Sequence, residues 1–154
     1  MQIVLAHKAD HIPIVRELFQ EYASDMGLNL CFQGFTEELA TLPGRYVPPE
    51  GRLLLGDRDG QPVACVAMRR IADDVCEMKR LYVRPAFRGR GLGRALAEAV
   101  IVSARNVGYR AVKLNTLASM KPAVALYESL GFHRTTAYYE NSLPDVLYFE
   151  LQLL

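Results

Sequence analysis

Three glycines alternate with other residues in the segment Arg88, Gly89, Arg90, Gly91, Leu92, Gly93 and Arg94. Glycines at this spacing let the backbone curl tightly and bring its N–H groups close to a ligand. A helix that begins directly after the turn adds its own unpaired N–H groups and the positive end of its dipole. The segment therefore predicts an anion site suited to a pyrophosphate, and a glycine-rich turn that only keeps the surface soluble is the alternative.

This segment does not match the two best-known nucleotide-binding motifs. A Walker loop ends in Gly-Lys-Ser/Thr, a sequence that this chain lacks. A dinucleotide fingerprint needs G-x-G-x-x-G, but its third glycine position is Arg94 when counted from Gly89 and Leu96 when counted from Gly91. A nucleotide-binding enzyme is therefore only a secondary hypothesis.

Glu77 lies inside a run of residues typical of a central strand. A carboxylate in such a place is uncommon and favours a functional role. An equally weighted alternative is a structural ion pair, either with Lys79 or with Arg69, which is itself interpreted as part of a solvated strand end. Strand alternation predicts that Glu77, Lys79, Leu81 and Val83 share one face of the sheet.

The elements that position these residues follow from hydrophobic periodicity. Strands are predicted at 2–6, 53–56, 62–70, 76–83, 111–117, 135–140 and 146–153. Helices are predicted from a cap at Asp10 to Gly27, from a cap at Thr36 to residue 42, at 92–107 and at 122–130. Antiparallel hairpins thus flank one strand–helix–strand crossover. This order predicts a single domain over 1–154, with a mixed, mostly antiparallel α/β sheet of the α+β type.

Composition narrows the range of partners. Eighteen basic and 17 acidic residues leave a net charge of +1, which gives no general attraction to nucleic acid or to an anionic membrane. The three cysteines show no C-x-x-C spacing, so neither a disulfide scaffold nor a metal site is expected. The N-terminus does not resemble a signal peptide, and no apolar run approaches the ~20 residues that span a bilayer. We therefore expect a cytoplasmic protein.

Three motifs together resemble the GCN5-related N-acetyltransferases (GNAT family). Arg88-x-x-Gly91-x-Gly93 is similar to the family signature R/Q-x-x-G-x-G/A, and Leu81-Tyr82-Val83-Arg84-Pro85 resembles the end of the central family strand. The helix pattern A-x-x-L-Y-x-x-x-G-F is matched by residues 123–132. The motifs stand in the family order and cover residues 76–132.

The resemblance implies the acyl-CoA N-acyltransferase fold, with a splayed β4/β5 pair and about four helices. It implies acetyl-CoA as cosubstrate, with no metal. Pantetheine would pair with the backbone of Leu81, Tyr82 and Val83, and the pyrophosphate would lie on the N–H groups of the 88–94 segment. Met120 stands where the family often has an asparagine that contacts the cofactor, so that polar contact is absent or comes from elsewhere. Tyr127 matches the motif tyrosine and is the candidate acid, and Glu77 is the candidate base.

The resemblance further implies an N-acetyltransferase that acts by direct attack of a primary amine on the thioester, the amine belonging to a small molecule or a peptide. The acceptor site would involve the first two helices and the last hairpin. Its candidate residues are the aromatic Tyr22, Phe32, Phe35 and Tyr138, although each also suits the core. Aromatics with an acidic residue such as Asp25 would suit a cationic amine. A non-catalytic acyl-CoA-binding or regulatory module is the alternative function, and the resemblance also allows a homodimer.

Overall fold

The computed structural model describes residues 1–27, 34–138 and 145–153. The strands are β1 Gln2–Leu5, β2 Arg52–Arg58, β3 Gln61–Ala72, β4 Val75–Val83, β5 Ala111–Leu117, β6 His133–Arg134 and β7 Val146–Gln152. The helices are α1 Ile12–Asp25, α2 Phe35–Ala40, α3 Leu92–Val107 and α4 Lys121–Ser129. One predicted acceptor residue, Phe32, lies outside the described residues.

The seven strands form a single sheet in the order β1-β2-β3-β4-β5-β7-β6. Neighbouring strands run antiparallel except for β4 and β5, which are parallel. Helix α3 provides the crossover between these two strands, as parallel pairing requires. The predicted mixed, mostly antiparallel sheet with four flanking helices is therefore confirmed.

The parallel pair is short and then separates. Val75, Cys76 and Glu77 of β4 pair with β5, and the register ends there. Strand β5 continues to pair with β7 as far as Leu117, and β4 continues to pair with β3 as far as Val83. Because each strand keeps its outer partner, the sheet opens between β4 and β5 without losing either strand. The predicted splay is confirmed.

A β-bulge at Arg80 reverses the alternation of β4. Lys79 lies opposite Ala67, but the next registered pair is Tyr82 with Cys65, so β4 carries one extra residue. The bulge lies at Arg80, whose φ of 61° is in the left-handed region that non-glycine residues rarely occupy. The prediction that Glu77 and Lys79 share a face with Leu81 and Val83 is therefore wrong.

Two apolar layers cover the two faces of the sheet. Helices α3 and α4 pack on one face, where Leu81 and Val83 join the core that contains Met78 and Tyr127. Helices α1 and α2 pack on the other face, where Tyr82 joins their core. Because of the bulge, Leu81 and Val83 lie in the same layer as Met78. Glu77 and Lys79 therefore lie on the opposite side, which faces α1 and α2.

Several element ends differ from the predictions. The chain enters α1 through a 3-10 turn at Ala9–His11, so Asp10 lies inside that turn and the cap position belongs to His11. Helix α2 begins at Phe35 after Gly34, whose φ of 70° makes it the cap in place of Thr36. Residues 139 and 140 of the strand predicted at 135–140 lie outside the described residues, and 135–138 form no strand. The strand that pairs with β7 here is the two-residue β6, His133–Arg134.

None of the helices in the described part of the chain has the length and apolar character needed to cross a membrane. Within residues 1–27, 34–138 and 145–153, no cluster of three or more His, Cys, Asp or Glu side chains is placed to hold a metal ion.

Candidate functional site

The turn before α3 presents a row of unused backbone donors. Gly89 and Gly91 both have a φ of 79°, and Gly91 caps the helix. The first hydrogen bond of α3 runs from the Ala95 amide to the Gly91 carbonyl at 3.0 Å. The amides of residues 89–94 donate to no acceptor among the described residues, whereas the Arg88 amide donates to the Pro85 carbonyl at 3.3 Å. Six of the seven amides predicted to bind an anion are therefore available.

The arginines of this turn do not all face it. The Arg88 guanidinium donates to the Val83 carbonyl and to the Asp25 carboxylate, both at 2.8 Å. Its charge is thereby compensated by α1, and Asp25 is not available to attract a cationic amine. Arg94 reaches Ser129 of α4 at 2.8 Å, and the exposed Arg90 lies over the Phe87 ring. Because Arg94 also lies 3.9 Å from the Glu98 carboxylate, the local positive charge of the turn comes mainly from Arg90 and the helix dipole.

A narrow crevice of about 50 Å³ lies where β4 and β5 separate. It collects residues from four elements, namely Tyr22, Met26, Met78, Lys79, Arg80, Leu81, Asn115, Thr116, Met120, Ala123 and Tyr127. Four predicted site residues, Tyr22, Leu81, Met120 and Tyr127, therefore meet here. Tyr82 does not line the crevice, because the bulge turns its side chain toward α1, where its hydroxyl donates to Glu21 at 3.3 Å.

Tyr127 is held in the crevice wall by aromatic contacts. Its ring centroid lies 5.9 Å from that of Phe132 and 6.4 Å from that of Phe149, and only 7% of the residue is exposed. The hydroxyl makes no hydrogen bond to another described residue. Burial raises the pKa of this phenol above its ordinary value near 10. Tyr127 is therefore a neutral hydrogen-bond donor at neutral pH, with no acceptor among the described residues.

Glu77 is fully buried and is bound by four side chains. Oε1 accepts from Arg69 Nε at 3.0 Å and lies 3.9 Å from Lys79 Nζ. Oε2 accepts from the Tyr138 hydroxyl at 2.5 Å and from Asn115 Nδ2 at 3.5 Å. Glu77 does not itself line the crevice, although Lys79 and Asn115 do. The ion pairs of Glu77 with Arg69 and with Lys79, both considered from the sequence, are therefore present. Glu77 is separated from the crevice of Tyr127 by the side chains of Lys79 and Asn115.

Lys79 is the site residue that the sequence did not single out. Only 10% of its side chain is exposed, and burial, followed by the charge of Arg80, lowers its pKa to about 8. The interpretation of Arg69 as a solvated strand end is wrong, because its guanidinium is bound to buried Glu77. A cation two residues from a strand glutamate was an available signal, but the side that it faces depends on the bulge.

Arg80 secures the opposite wall of the crevice. It forms two hydrogen bonds with the Glu38 carboxylate of α2, at 2.9 and 3.0 Å, and lies over the rings of Tyr22 and Phe35. These contacts offset the backbone strain at the bulge. Phe35, a predicted acceptor residue, is buried in the core under Arg80 and does not reach the crevice.

Residues 14–132 match the Acetyltransferase (GNAT) family. An uncharacterized N-acetyltransferase of Schizosaccharomyces pombe is 42% identical over 138 residues, which cover 88% of this chain and 85% of the relative. The N-acetylaspartate synthetase of Danio rerio is 36% identical over 111 residues, which cover 71% of this chain and 39% of that protein.

An acetyltransferase from Salmonella typhimurium, solved with its cofactor acetyl-CoA, has the same fold. Its TM-score is 0.76 at 23% identity, over 99% of this chain and 93% of that one. The family match extends over both the crevice and the turn of free amides. This chain therefore belongs to the GNAT family of acetyltransferases and is an acyltransferase.

Proposed function

We propose that this chain binds acetyl-CoA along β4 and transfers its acetyl group to a primary amine by direct attack within a ternary complex. The observation that carries the proposal is the junction of two features on one strand. Strand β4 lines the crevice that holds Tyr127, and its end leads into the turn with six unused amides. A thioester carrier with a pyrophosphate has the length and the chemistry to occupy both.

The pyrophosphate would lie on the amides of residues 89–94. Two of the glycines there have positive φ values, and a Cβ added to either would meet nothing within 4 Å, so the space beside them is open to a ligand. Backbone donors and a helix N-terminus favour an anion without side-chain contacts. Met120 is the N-cap residue of α4 and lines the crevice, where its side chain would contribute an apolar contact to the cofactor.

The transfer step forms a C–N bond and breaks a C–S bond. The neutral amine attacks the thioester carbonyl, the amine loses one proton, and the departing sulfur gains one. Tyr127 would donate a hydrogen bond to that sulfur, since its phenol keeps its proton and has no competing partner among the described residues. Because burial also makes the phenolate costly, proton transfer to sulfur has to be coupled to reprotonation of the phenol by water in the crevice.

Glu77 is the proposed destination of the amine proton. An ordinary lysine-type amine has a pKa near ~10.4, so only about one molecule in a thousand is neutral at pH 7. Since Glu77 is buried behind the crevice, the proton would reach it through water or through the hydroxyl of Tyr138, which lies 2.5 Å from its Oε2. Arg69, Lys79 and Asn115 orient the carboxylate for this role.

The relatives support an acetyl transfer to nitrogen. The structure from Salmonella typhimurium contains acetyl-CoA, and the relative from Danio rerio is named for a product in which an acetyl group is joined to aspartate. These names support acetyl-CoA as the donor and a small-molecule amine as one class of acceptor for this chain.

Thiol release from acetyl-CoA, measured against a library of amines, tests the proposal. We expect release with at least one class of amine and a loss of about 100-fold in Tyr127→Phe. Tight coenzyme A binding without release by any amine would instead support a non-catalytic acyl-CoA-binding module. Stabilisation by ATP or NAD, with none by coenzyme A, would contradict the proposal altogether.

A further inference from the structure

A second, larger cavity adjoins the crevice on the side of α2. Its volume is about 720 Å³, and it is bounded by α2, the segment that follows it, and the outer face of β3 and β4. The cations that line it are Arg45, Arg69 and Lys79. Lys79 also lines the crevice of Tyr127. The two spaces therefore share a wall, and a small molecule in the cavity can present one end to the crevice.

Lys79 is poorly satisfied by the protein. Its one recorded ion-pair partner in the described part of the chain is Glu77, at 3.9 Å, which is too long for a hydrogen bond. Glu77 already accepts from Arg69 at 3.0 Å and from Tyr138 at 2.5 Å. A lysine side chain that is nine-tenths buried has already lost most of its hydration in the folded protein. The Lys79 ammonium thus has no hydrogen-bond acceptor among the described residues, and its side chain lines both the cavity and the crevice.

The acidic side chains of the cavity do not compensate its cations. Glu38 is bound by Arg80 through two hydrogen bonds, and Glu37 is exposed at the rim. Arg45 donates to the Arg70 carbonyl at 2.9 Å, and no carboxylate of residues 1–27, 34–138 or 145–153 lies within ion-pair distance of it. Neither lining carboxylate is therefore within ion-pair distance of Arg45 or Lys79.

A neighbouring recess extends this charge. It has a volume of about 420 Å³, shares Arg45 and Arg69 with the cavity, and is lined by no acidic side chain among the residues described. The other two cations of the recess are balanced, since Arg110 pairs with Asp74 at 2.8 Å and Lys113 with Glu150 at 3.7 Å. Since Arg69 pairs with Glu77 at 3.0 Å, the lining cations left without a described carboxylate within hydrogen-bond distance are Arg45 and Lys79.

Resting on the proposed function, we propose that the acceptor amine carries a carboxylate, which Lys79 and Arg69 bind in this cavity while the amine faces the crevice. Lys79 lines both spaces, so the carboxylate of the acceptor would lie in the cavity on one side of it and the amine in the crevice on the other. Arg45 adds attraction at the rim. An amine without an anionic group would leave Lys79 unpaired and would bring a second positive charge close to it, so like charge would disfavour such an acceptor.

The test compares matched acceptors in the thiol-release assay with acetyl-CoA. Each pair consists of an amino acid and its amide, such as glycine with glycinamide, β-alanine with β-alaninamide, and aspartate with its diamide. The amide amine loses its proton more readily, so a preference for the acid cannot come from amine basicity. We expect kcat/KM to be at least about ten-fold higher for the acid in the best pair, the value of one charge-assisted hydrogen bond.

Variants assign that preference to Lys79. Lys79→Met is expected to raise KM for the acid about 10- to 100-fold more than KM for the amide, whereas any effect of this residue on Glu77 or on the coenzyme A crevice should be the same for both acceptors. Lys79→Arg should restore part of the loss. The matched control is Lys8→Met, which removes an exposed lysine that lines none of these cavities and should change neither acceptor.

Equal use of acids and amides, or an equal loss for both in Lys79→Met, would overturn the carboxylate subsite while leaving the acetyltransferase intact. Absence of thiol release with every pair and every variant would overturn the proposed function, and the subsite with it.

Discussion

The Tyr138 hydroxyl lies 2.5 Å from Oε2 of Glu77, although 61 residues separate the two along the chain. This bond joins the segment after β6 to the centre of β4, beside the point where β4 and β5 separate. Tyr138, a predicted acceptor residue, lines the recess beside the cavity and also contacts the candidate base directly. The hydroxyl also accepts from Asn115 Nδ2 at 3.3 Å, so its loss probes the buried carboxylate together with one residue of the crevice wall.

Tyr138→Phe removes a donor from a charged, buried acceptor. We expect the free energy of unfolding to fall by about 1.5–3 kcal/mol, the usual value of a hydrogen bond to a charged group, and kcat/KM for the amine to fall as well. Urea denaturation and thiol release measure the two effects. The control is Tyr109→Phe, which loses a 2.6 Å bond to the neutral Glu50 carbonyl and should lower stability but not activity. Equal activity losses in the two variants would contradict a role for Glu77.

Tyr127→Phe should separate chemistry from binding. The hydroxyl bonds to no other described residue, so we expect the free energy of unfolding to change by no more than about 0.5 kcal/mol. The Kd for coenzyme A should also be unchanged, while kcat falls by about 100-fold. Because burial raises the pKa of Tyr127, its acid form persists above pH 10, and wild-type kcat should show no alkaline loss from this residue. Unchanged kcat in the variant would remove Tyr127 from the chemistry.

The pH dependence of acceptor use should report on Lys79. Its pKa is lowered to about 8 by burial and by Arg80 and Arg69, against the opposing effects of Glu77 and Glu38. The residue is therefore charged below about pH 8 and neutral above it, so binding of a carboxylate weakens as the pH rises through that value.

The comparison of wild type with Lys79→Arg isolates this effect, since titration of the amine is the same in both. The ratio of kcat/KM, wild type over variant, should fall above pH 8, because kcat/KM reports the free enzyme and arginine stays charged. A ratio that is constant from pH 6 to pH 10 would rule out a charged Lys79 as the binding group.

Gly91→Glu should weaken cofactor binding far more than folding. The position has a φ of 79° and open space beside it, so the new carboxylate would enter the region assigned to the pyrophosphate. A matched control is Gly108→Glu at the other end of the same helix, where φ is 105°. Each should cost about 1–2 kcal/mol of backbone strain. Calorimetry should give a Kd for coenzyme A raised at least about ten-fold in Gly91→Glu only.

Much of the fold was predictable because local signals agreed with tertiary structure. Helix α3 has a clear apolar stripe and a left-handed glycine after its end, and it was predicted with its observed bounds. The bulge at Arg80 was not predictable. Arginine has no intrinsic preference for a positive φ, and the conformation is held by Glu38, Tyr22 and Phe35, which are distant in sequence. The start of α1 was misplaced because a 3-10 turn at Ala9–His11 precedes it.

The candidate site was predictable where the backbone performs the function. The spacing of Gly89 and Gly91 indicated free amides without knowledge of any neighbour. Side-chain environments were harder, because they depend on which face of β4 each residue occupies. For this reason Lys79 and Arg69 were predicted only as ion-pair partners of Glu77, and Asp25 was assigned to the acceptor site although it pairs with Arg88. The charge of the proposed acceptor cavity depends on the packing of α2 against β3 and β4, which brings together residues that are distant in sequence.

A crystal structure of the protein with coenzyme A would test the central claim most directly. We predict the pantetheine arm in the crevice between β4 and β5, with the thiol next to the Tyr127 hydroxyl and the pyrophosphate on the amides of residues 89–94. Coenzyme A bound elsewhere, with those amides and that crevice left empty, would contradict the account.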